Sequence, residues 1–420
     1  MLPRVRELEQ RFPDTLTVIG VHAGKYPAER HTERIAAACD RLGVEHAVAN
    51  DRQFRIWKEY AVSAWPTVAL IGADGMLVGV QPGEFSVDAL AAAIDAAVGD
   101  ADARGIMRRG PDPIVVPQPR HEGPLRFPGR ALVRGDRLWI SDSGHGRVLE
   151  CALEETDSAL TARVLAEHAG FAEPQGLAWL DGALYVADRL GQSIWRLTGD
   201  GKRERVGGTG VLADSQVTPG HGPEVELRSP WGLSALGSHL IIAMAGSHQL
   251  WRLNPGTLHL SLWAGTGGEE IVDGPLSRSL LAQPTGLAAH GEGVAFADSE
   301  SSAIRFASEL EGVRTLVGTG LFDFGDRDGV GGAVLLQHAE DVAAHGGSLA
   351  VADTYNGRIK HVDLLTRGVR AWVGDAGEAG TFSEPAGISS DGDRLVVADT
   401  GNHRVTTITS DGSIREVKLT

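Results

Sequence analysis

The sequence predicts an α/β module with an incomplete sheet, followed by an all-β array of six like units closed into a six-bladed propeller. Three observations lead there. An eight-residue phrase recurs six times, a proline-rich stretch precedes its first copy, and the residues before that stretch alternate between helical and strand patterns. The copies are SDSGHGRV (141–148), ADRLGQSI (187–194), AMAGSHQL (243–250), ADSESSAI (297–304), ADTYNGRI (352–359) and ADTGNHRV (398–405). Their second residues are Asp142, Asp188, Met244, Asp298, Asp353 and Asp399, spaced by 46, 56, 54, 55 and 46 residues. A period of roughly 40–55 residues made of short strands is the mark of radially repeated sheets, each burying its faces on its neighbours.

The bulk numbers suit that reading. The chain has 420 residues and is 42% hydrophobic, enough for a substantial core, and its 55 glycines serve tight turns between strands. The formal net charge is −16, with −2 in residues 1–110 and −14 in the remainder. An acidic surface repels phosphate backbones and anionic lipid, which excludes nucleic acid and membrane surfaces as partners. Cys39 and Cys151 stand far apart and neither lies in a C-x-x-C, so no disulfide framework or zinc site is expected. No apolar run reaches the roughly 18 residues that span a bilayer. The opening MLPRVRELEQRF reads as a charged amphipathic helix and not as a signal region, so a cytoplasmic monomer is expected.

In the first hundred residues, helical patterns at 2–12, 27–42, 52–60 and 87–98 alternate with strands at 16–21, 46–49, 67–71 and 77–80. Ala73-Asp74-Gly75 makes the hairpin turn between the last two strands, and the alternation argues for a layered α/β sandwich. The phrase VSAWPTVALIGADG (62–75) resembles the late part of the thioredoxin-like family, where an apolar-Pro-Thr step precedes a strand and a hairpin. The resemblance implies a cis-proline region at Trp65, Pro66 and Thr67. A cis bond there also fits on its own terms, because an X–Pro bond alone adopts cis at little cost. The family's first strand and its C-x-x-C do not precede Met1-Leu2-Pro3, so the sheet is expected to lack its middle. Met1 is accordingly expected to be internal to a longer product. GVHAGK (20–25) has the wrong glycine spacing for a phosphate loop and lacks the following Ser/Thr.

Residues 110–128 contain six prolines, which stiffen the chain and forbid regular helix. The boundaries expected are therefore a module over 1–109, a linker over 110–126 and the propeller over 127–420. Each unit opens on a proline–turn–strand phrase: FPGRAL, EPQGLA, SPWGLS, QPTGLA, QHAEDVA and EPAGIS, beginning at 127, 173, 229, 283, 337 and 384. The fifth is read with His338 and Asp341 replacing the proline and glycine. GGTG, AGTG, VGTG and VGDAG mark the end of the outer strands, and either 413–419 or 114–116 would supply the last strand. These motifs resemble the NHL repeat over about 290 residues. A thioredoxin-like segment ahead of six such units, with AMAGSHQLW, ADSESSAIR and FGDRDGVG, resembles a thioredoxin-like/NHL-repeat fusion family over essentially the whole chain.

The repeated aspartates are the obvious candidates for acids or metal ligands. A carboxylate closing a strand before a Ser/Thr/Gly turn instead fits an Asx-type turn, so Asp142, Asp188, Asp298, Asp353 and Asp399 are read as structural. His145, His248 and His403 fall in the same turns at unmatched positions and are read as solvated. Seven of nine tryptophans lie in the array and read as filler between wedges, with Trp231 the candidate for a rim contact. No catalytic residue, cofactor site or metal site is assigned. The expected function is a binding scaffold with a protein or peptide partner, whose propeller is coupled to a thioredoxin-like module lacking its dithiol. The alternative is a thiol–disulfide oxidoreductase once an upstream C-x-x-C is present.

Overall fold

A computed structural model describes residues 1–83, 85–110, 121–156, 160–199, 201–214, 216–373, 381–392, 394–409 and 412–420. The chain divides into two compact units, Met1–Arg120 and His121–Thr420. Among the described residues no helix is long and apolar enough to cross a membrane.

The first unit runs α1 (Leu2–Arg11), β1 (Ile19–His22), α2 (Thr32–Leu42), β2 (Ala47–Asn50), α3 (Arg55–Glu59), β3 (Thr67–Ile71), β4 (Leu77–Pro82) and α4 (Val87–Ala103). Local chemistry sets the ends of these elements. Pro3 occupies the first turn of α1, where no amide donor is needed, and Gly43 ends α2 in the left-handed region at φ 62°. Ser86 caps α4, its hydroxyl accepting from Ala89 N at 3.4 Å. Gly75 at φ 80° completes the β3–β4 hairpin as its Asp-Gly pair requires.

The strands form two separate pairs. β1 and β2 are parallel, with Ile19 opposite Ala47; β3 and β4 are antiparallel. Among the described residues no strand joins the pairs, and Ile19, Val21, Ile71, Leu77 and Val78 are exposed. α1 and α4 pack with β3 around Leu8, Phe12, Ala91 and Ile94.

Among the described residues the second unit holds six antiparallel meanders of four strands, repeats 1 to 6. Their first strands begin at Pro128, Pro174, Pro230, Pro284, Asp341 and Pro385, and these strands lie side by side in cyclic order, the sixth beside the first. Proline fits the start of a strand because no ladder donor is required there. In repeat 2, Asp181 and Gly182 both have positive φ, the combination that closes a two-residue hairpin with the right twist. Six apolar cores result, one between each pair of neighbouring repeats, including repeats 6 and 1 through Val396, Val405, Leu138 and Ile140. Trp251 is fully buried between repeats 2 and 3, and Trp139 lies 4.9 Å from Trp179 between repeats 1 and 2.

The closing strand is Ile414–Leu419, the outer strand of repeat 6, whose Val417 pairs in parallel with Leu160 of repeat 1. The alternative at 114–116 lies outside the described residues. The opening of repeat 5 needs correcting. His338 has φ 49°, matching Gln283 (60°) and Ser229 (53°), the residues that precede the prolines of repeats 4 and 3. Ala339, not His338, therefore stands at the proline position, with Asp341 at the glycine position.

Candidate functional site

The repeat aspartates work over a longer reach than a local turn. In repeat 1, Asp142 Oδ1 accepts from Arg126 N at 2.7 Å; in repeat 2, Asp188 Oδ1 accepts from Glu173 N at 2.7 Å, with Ala172 N beside it at 3.1 Å. Asp298 takes Ala282 N at 2.7 Å, Asp353 takes Gln337 N at 2.8 Å and Asp399 takes Ser383 N at 2.7 Å. Each carboxylate thus reaches back to the loop leading into its own repeat's first strand. Asp188 also accepts from a backbone amide of its own turn, Gly191 N at 3.3 Å, while Asp353 and Asp399 accept there from the Asn356 and Asn402 side chains at 2.8 Å. The Asx-turn reading is corrected accordingly. A buried donor at the start of a strand has no ladder partner, and the carboxylate two strands away supplies one.

The residues next to these acids bind the following repeat. Hydroxyls after the acid donate to the carbonyl at the proline position: Ser299 to Ala339 (2.7 Å), Thr354 to Pro385 (2.8 Å) and Thr400 to Pro128 (2.7 Å), the last closing repeat 6 on repeat 1. The end of each turn supplies acceptors. His248 Nδ1 takes Gln283 N at 3.2 Å, His403 Nδ1 takes Phe127 N at 3.1 Å and Gln192 Oε1 takes Ser229 N at 2.8 Å. His248 and His403 are therefore inter-repeat acceptors and not solvated turn residues, while His145 pairs with Asp142 within its own turn at 2.8 Å. Among the described residues no group of three or more His, Cys, Asp or Glu side chains is arranged to hold a metal ion.

Two buried cations complete the polar framework. Arg305 is fully buried and donates to Asp298 (2.8 Å), Asp273 (2.9 Å), Leu280 O and Val272 O. At the equivalent place in repeat 5, Lys360 pairs with Asp326 (2.8 Å) and Asp328 (2.6 Å). Both tie down the long connections between repeats. Sequence reading passed over these residues, although the paired Asp-Gly steps at 273–274 and 328–329 were available as a signal.

On the axis, repeats 1 and 5 replace the recurring glycine by Arg130 and Asp341. They form a buried ion pair at 3.2 Å, and Asp341 also accepts from Ile388 N at 2.7 Å. Burial pushes the Asp341 carboxyl up to about 6, against the pull of Arg130, and pushes Asp353 up to about 7 against its Asn356 and Gln337 hydrogen bonds. A folded carboxyl that binds its proton more tightly than the unfolded one, at 3.8, gives stability that is complete at low pH and lost as pH rises through the folded value. The melting temperature is therefore expected to fall between pH 4 and pH 7. Asp353→Asn is expected to make that loss shallower, as read by thermal melts across that range.

Trp231 is half-buried under the Arg189 guanidinium, 4.7 Å from its ring centroid. In the first unit the Trp65–Pro66 bond is cis. Trp65 donates Nε1 to Ala23 O at 2.8 Å and packs against Trp57 with ring centroids 4.5 Å apart and planes tilted by 41°, while Thr67 donates to Ala64 O at 2.7 Å. Cys39 and Cys151 are free and buried; burial pushes both thiols up, Cys151 to about 11. Both stay protonated at neutral pH and are poor nucleophiles.

The NHL repeat family matches residues 382–407, in repeat 6. NHL repeat-containing protein 2 of Homo sapiens is 33% identical over 462 residues, covering 96% of this chain and 64% of its own length. Protein SUPPRESSOR OF QUENCHING 1, chloroplastic, of Arabidopsis thaliana is 32% identical over 448 residues, covering 96% of this chain and 42% of its own. The chain thus spans less than two thirds of these relatives. A structural genomics protein of unknown function from Bacteroides thetaiotaomicron superposes with a TM-score of 0.52 at 13% identity, over 68% of this chain and 70% of that one. An auxiliary nutrient binding protein from the same organism gives 0.52 at 10% identity, over 70% of each. These two likenesses speak for the fold alone. The chain thus carries an NHL repeat at 382–407 and is similar, over 96% of its own length, to NHL repeat-containing protein 2.

Proposed function

We propose that the chain is a binding scaffold: a six-bladed NHL propeller over 127–420 joined through a linker at 110–126 to a thioredoxin-like module over 1–109, working in the cytoplasm as a monomer. One observation carries the reading. The repeat acids and turn histidines are engaged in holding the loops and neighbouring repeats together, and the same end of the sheets carries apolar side chains open to solvent. Leu190 lies in the turn of repeat 2, Val211 and Leu212 in the connection to repeat 3, and Phe322 (74% exposed) in the connection to repeat 5. Apolar side chains held on a rigid frame are what a protein or peptide partner buries. The test is affinity capture from extract of the native host, comparing the chain with a Val211→Ser/Leu212→Ser/Phe322→Ser variant. The variant is expected to lose the captured partner with its melting temperature unchanged. Equal capture by both, or none by either, would sink the proposal.

The second reading is a thiol–disulfide oxidoreductase in a longer product. It draws support from two strand pairs whose apolar residues Ile19, Val21, Ile71 and Val78 lie open. A strand between β1 and β3 would cover such residues and could carry the dithiol that the protonated Cys39 and Cys151 do not supply. Insulin reduction by the product extended through the upstream reading frame tests it. An extension without a C-x-x-C, or one that gives no turnover, rejects it.

A further inference from the structure

An outer strand leaves a row of backbone groups open at the rim, and in five repeats those groups find a partner. The outer strands of repeats 1 and 6 pair with each other. The connections leading into repeats 3, 4 and 5 cover the next three: Gly220 pairs with Leu260, Gly274 with Val313 and Gly329 with Val369. Among the described residues no strand or bridge pairs with the outer edge of repeat 2, Arg203–Gly207. The spacing of the repeated phrase accounts for the difference. It is 46 residues into repeat 2 against 56, 54 and 55 into repeats 3, 4 and 5, so the residues that form a cover are missing.

The covers of repeats 4 and 5 share one chemistry. In repeat 4, Val313 N donates to Gly274 O at 2.8 Å, Gly274 N donates to Val313 O at 3.0 Å, and Asp273 Oδ2 accepts from Thr315 N at 2.8 Å. In repeat 5, Gly329 pairs with Val369 and Asp328 Oδ2 accepts from Ala371 N at 2.9 Å. An Asp-Gly step thus serves the positions four and two residues before the end of the outer strand. In repeat 2 those positions are Arg203 and Arg205. Thr198 N donates to Lys202 O at 3.1 Å, so the next pair, Arg203 with Leu197, is one whose N–H and C=O point away from the sheet. Arg205, two residues on, faces the same way.

The side chains differ in the same sense. Leu260, Val313 and Val369 are buried beneath their covers, whereas Lys202, Arg203, Glu204 and Arg205 are exposed. That run sets three cations against one acid in a chain of net charge −16. An open cavity of about 590 Å³, lined by Arg196, Thr198, Lys202 and Arg203, adjoins the start of the strand. We propose that the outer edge of repeat 2 takes an extended acidic segment of a partner protein as an added strand, with an Asp-Gly step lying against Arg205 and Arg203. The glycine exchanges backbone hydrogen bonds with Arg203 and the aspartate accepts from Arg205 N, as the chain's own covers do in repeats 4 and 5. The cations favour an acid here and exclude a second copy of the chain, because self-pairing of this edge sets arginine opposite arginine. This contact is additional to the one at Val211, Leu212 and Phe322 and does not rest on it.

The test uses the full chain and a peptide with the sequence of the cover at 270–276, N-acetyl-Glu-Ile-Val-Asp-Gly-Pro-Leu-amide, titrated by calorimetry. Saturable binding is expected, together with slowed amide hydrogen exchange at 202–206. Replacing the peptide's Asp by Asn, or its Gly by sarcosine, which has no N–H to give, is expected to weaken binding by about tenfold in each case, the loss of one hydrogen bond. Arg205→Glu is expected to weaken it by a similar factor with the melting temperature unchanged. Absence of binding, protection confined to other segments, or equal binding of the sarcosine peptide overturns the proposal. So does self-association of the free chain that protects 202–206. The Val211→Ser/Leu212→Ser/Phe322→Ser variant is expected to bind the peptide as the unaltered chain does, so the failure of either reading leaves the other standing.

Discussion

Asp298→Ala is expected to lower the unfolding free energy of the repeat unit by about 3–5 kcal/mol, because it strands a buried cation. Asp298 and Arg305 are both fully buried and meet at 2.8 Å, and Asp298 also accepts from Ala282 N at 2.7 Å. Burial raises the Asp298 carboxyl, and Arg305 opposes that rise, so the ionised form is held chiefly by its partner. Without the acid, Arg305 keeps only the partly exposed Asp273 and two carbonyls, and the Ala282 amide loses its acceptor. Asp298→Ala/Arg305→Met is expected to recover part of the loss, since an apolar replacement of both partners costs less than breaking the pair. Urea unfolding of the four proteins forms the cycle. A single variant within about 1 kcal/mol of wild type would show that the pair lies near water, contrary to the packing described.

Gly232→Ala is expected to cost about 2–3 kcal/mol, the upper range for forcing atoms into a packed contact. A Cβ at Gly232 would lie 1.9 Å from Thr285 O and 3.2 Å from Gly286 Cα, backbone atoms of the next repeat's first strand. The same close approach recurs between Gly286 and Asp341 (Cα at 2.5 Å) and between Gly387 and Gly129 O (2.5 Å), so the clash cannot be relieved by moving one strand alone. Denaturant midpoints at unchanged m-value are the readout. An unperturbed midpoint would mean that neighbouring first strands stand further apart than these distances allow.

Much of the array was legible because its signals are local. A proline before a strand, a glycine in a hairpin turn and an acid at a strand end each act within a few residues, and six copies in one chain average out the noise. The four strands of each repeat follow from that pattern. The partners of the acids were not legible in the same way. The amide that Asp142 holds is sixteen residues upstream, two strands away, and it becomes a neighbour only when the first two strands pair. Likewise His403 reads as an isolated turn histidine until repeat 6 meets repeat 1 and Phe127 N arrives at 3.1 Å. In repeat 5 the loss of both proline and glycine removed the local landmark, and only the positive φ at His338 restored the alignment.

The sequence by itself determined that most of the chain is a repeating β array and the order of strands within each repeat. These follow from hydrophobic alternation and turn chemistry, which depend on neighbours along the chain. Tertiary structure alone decided which groups are buried together: Arg130 with Asp341 across the axis, Asp298 with Arg305, and Lys360 with Asp326 and Asp328. The physical reason is that a charge becomes expensive only once water is removed from it. Water is removed by contacts between residues that the chain itself keeps far apart.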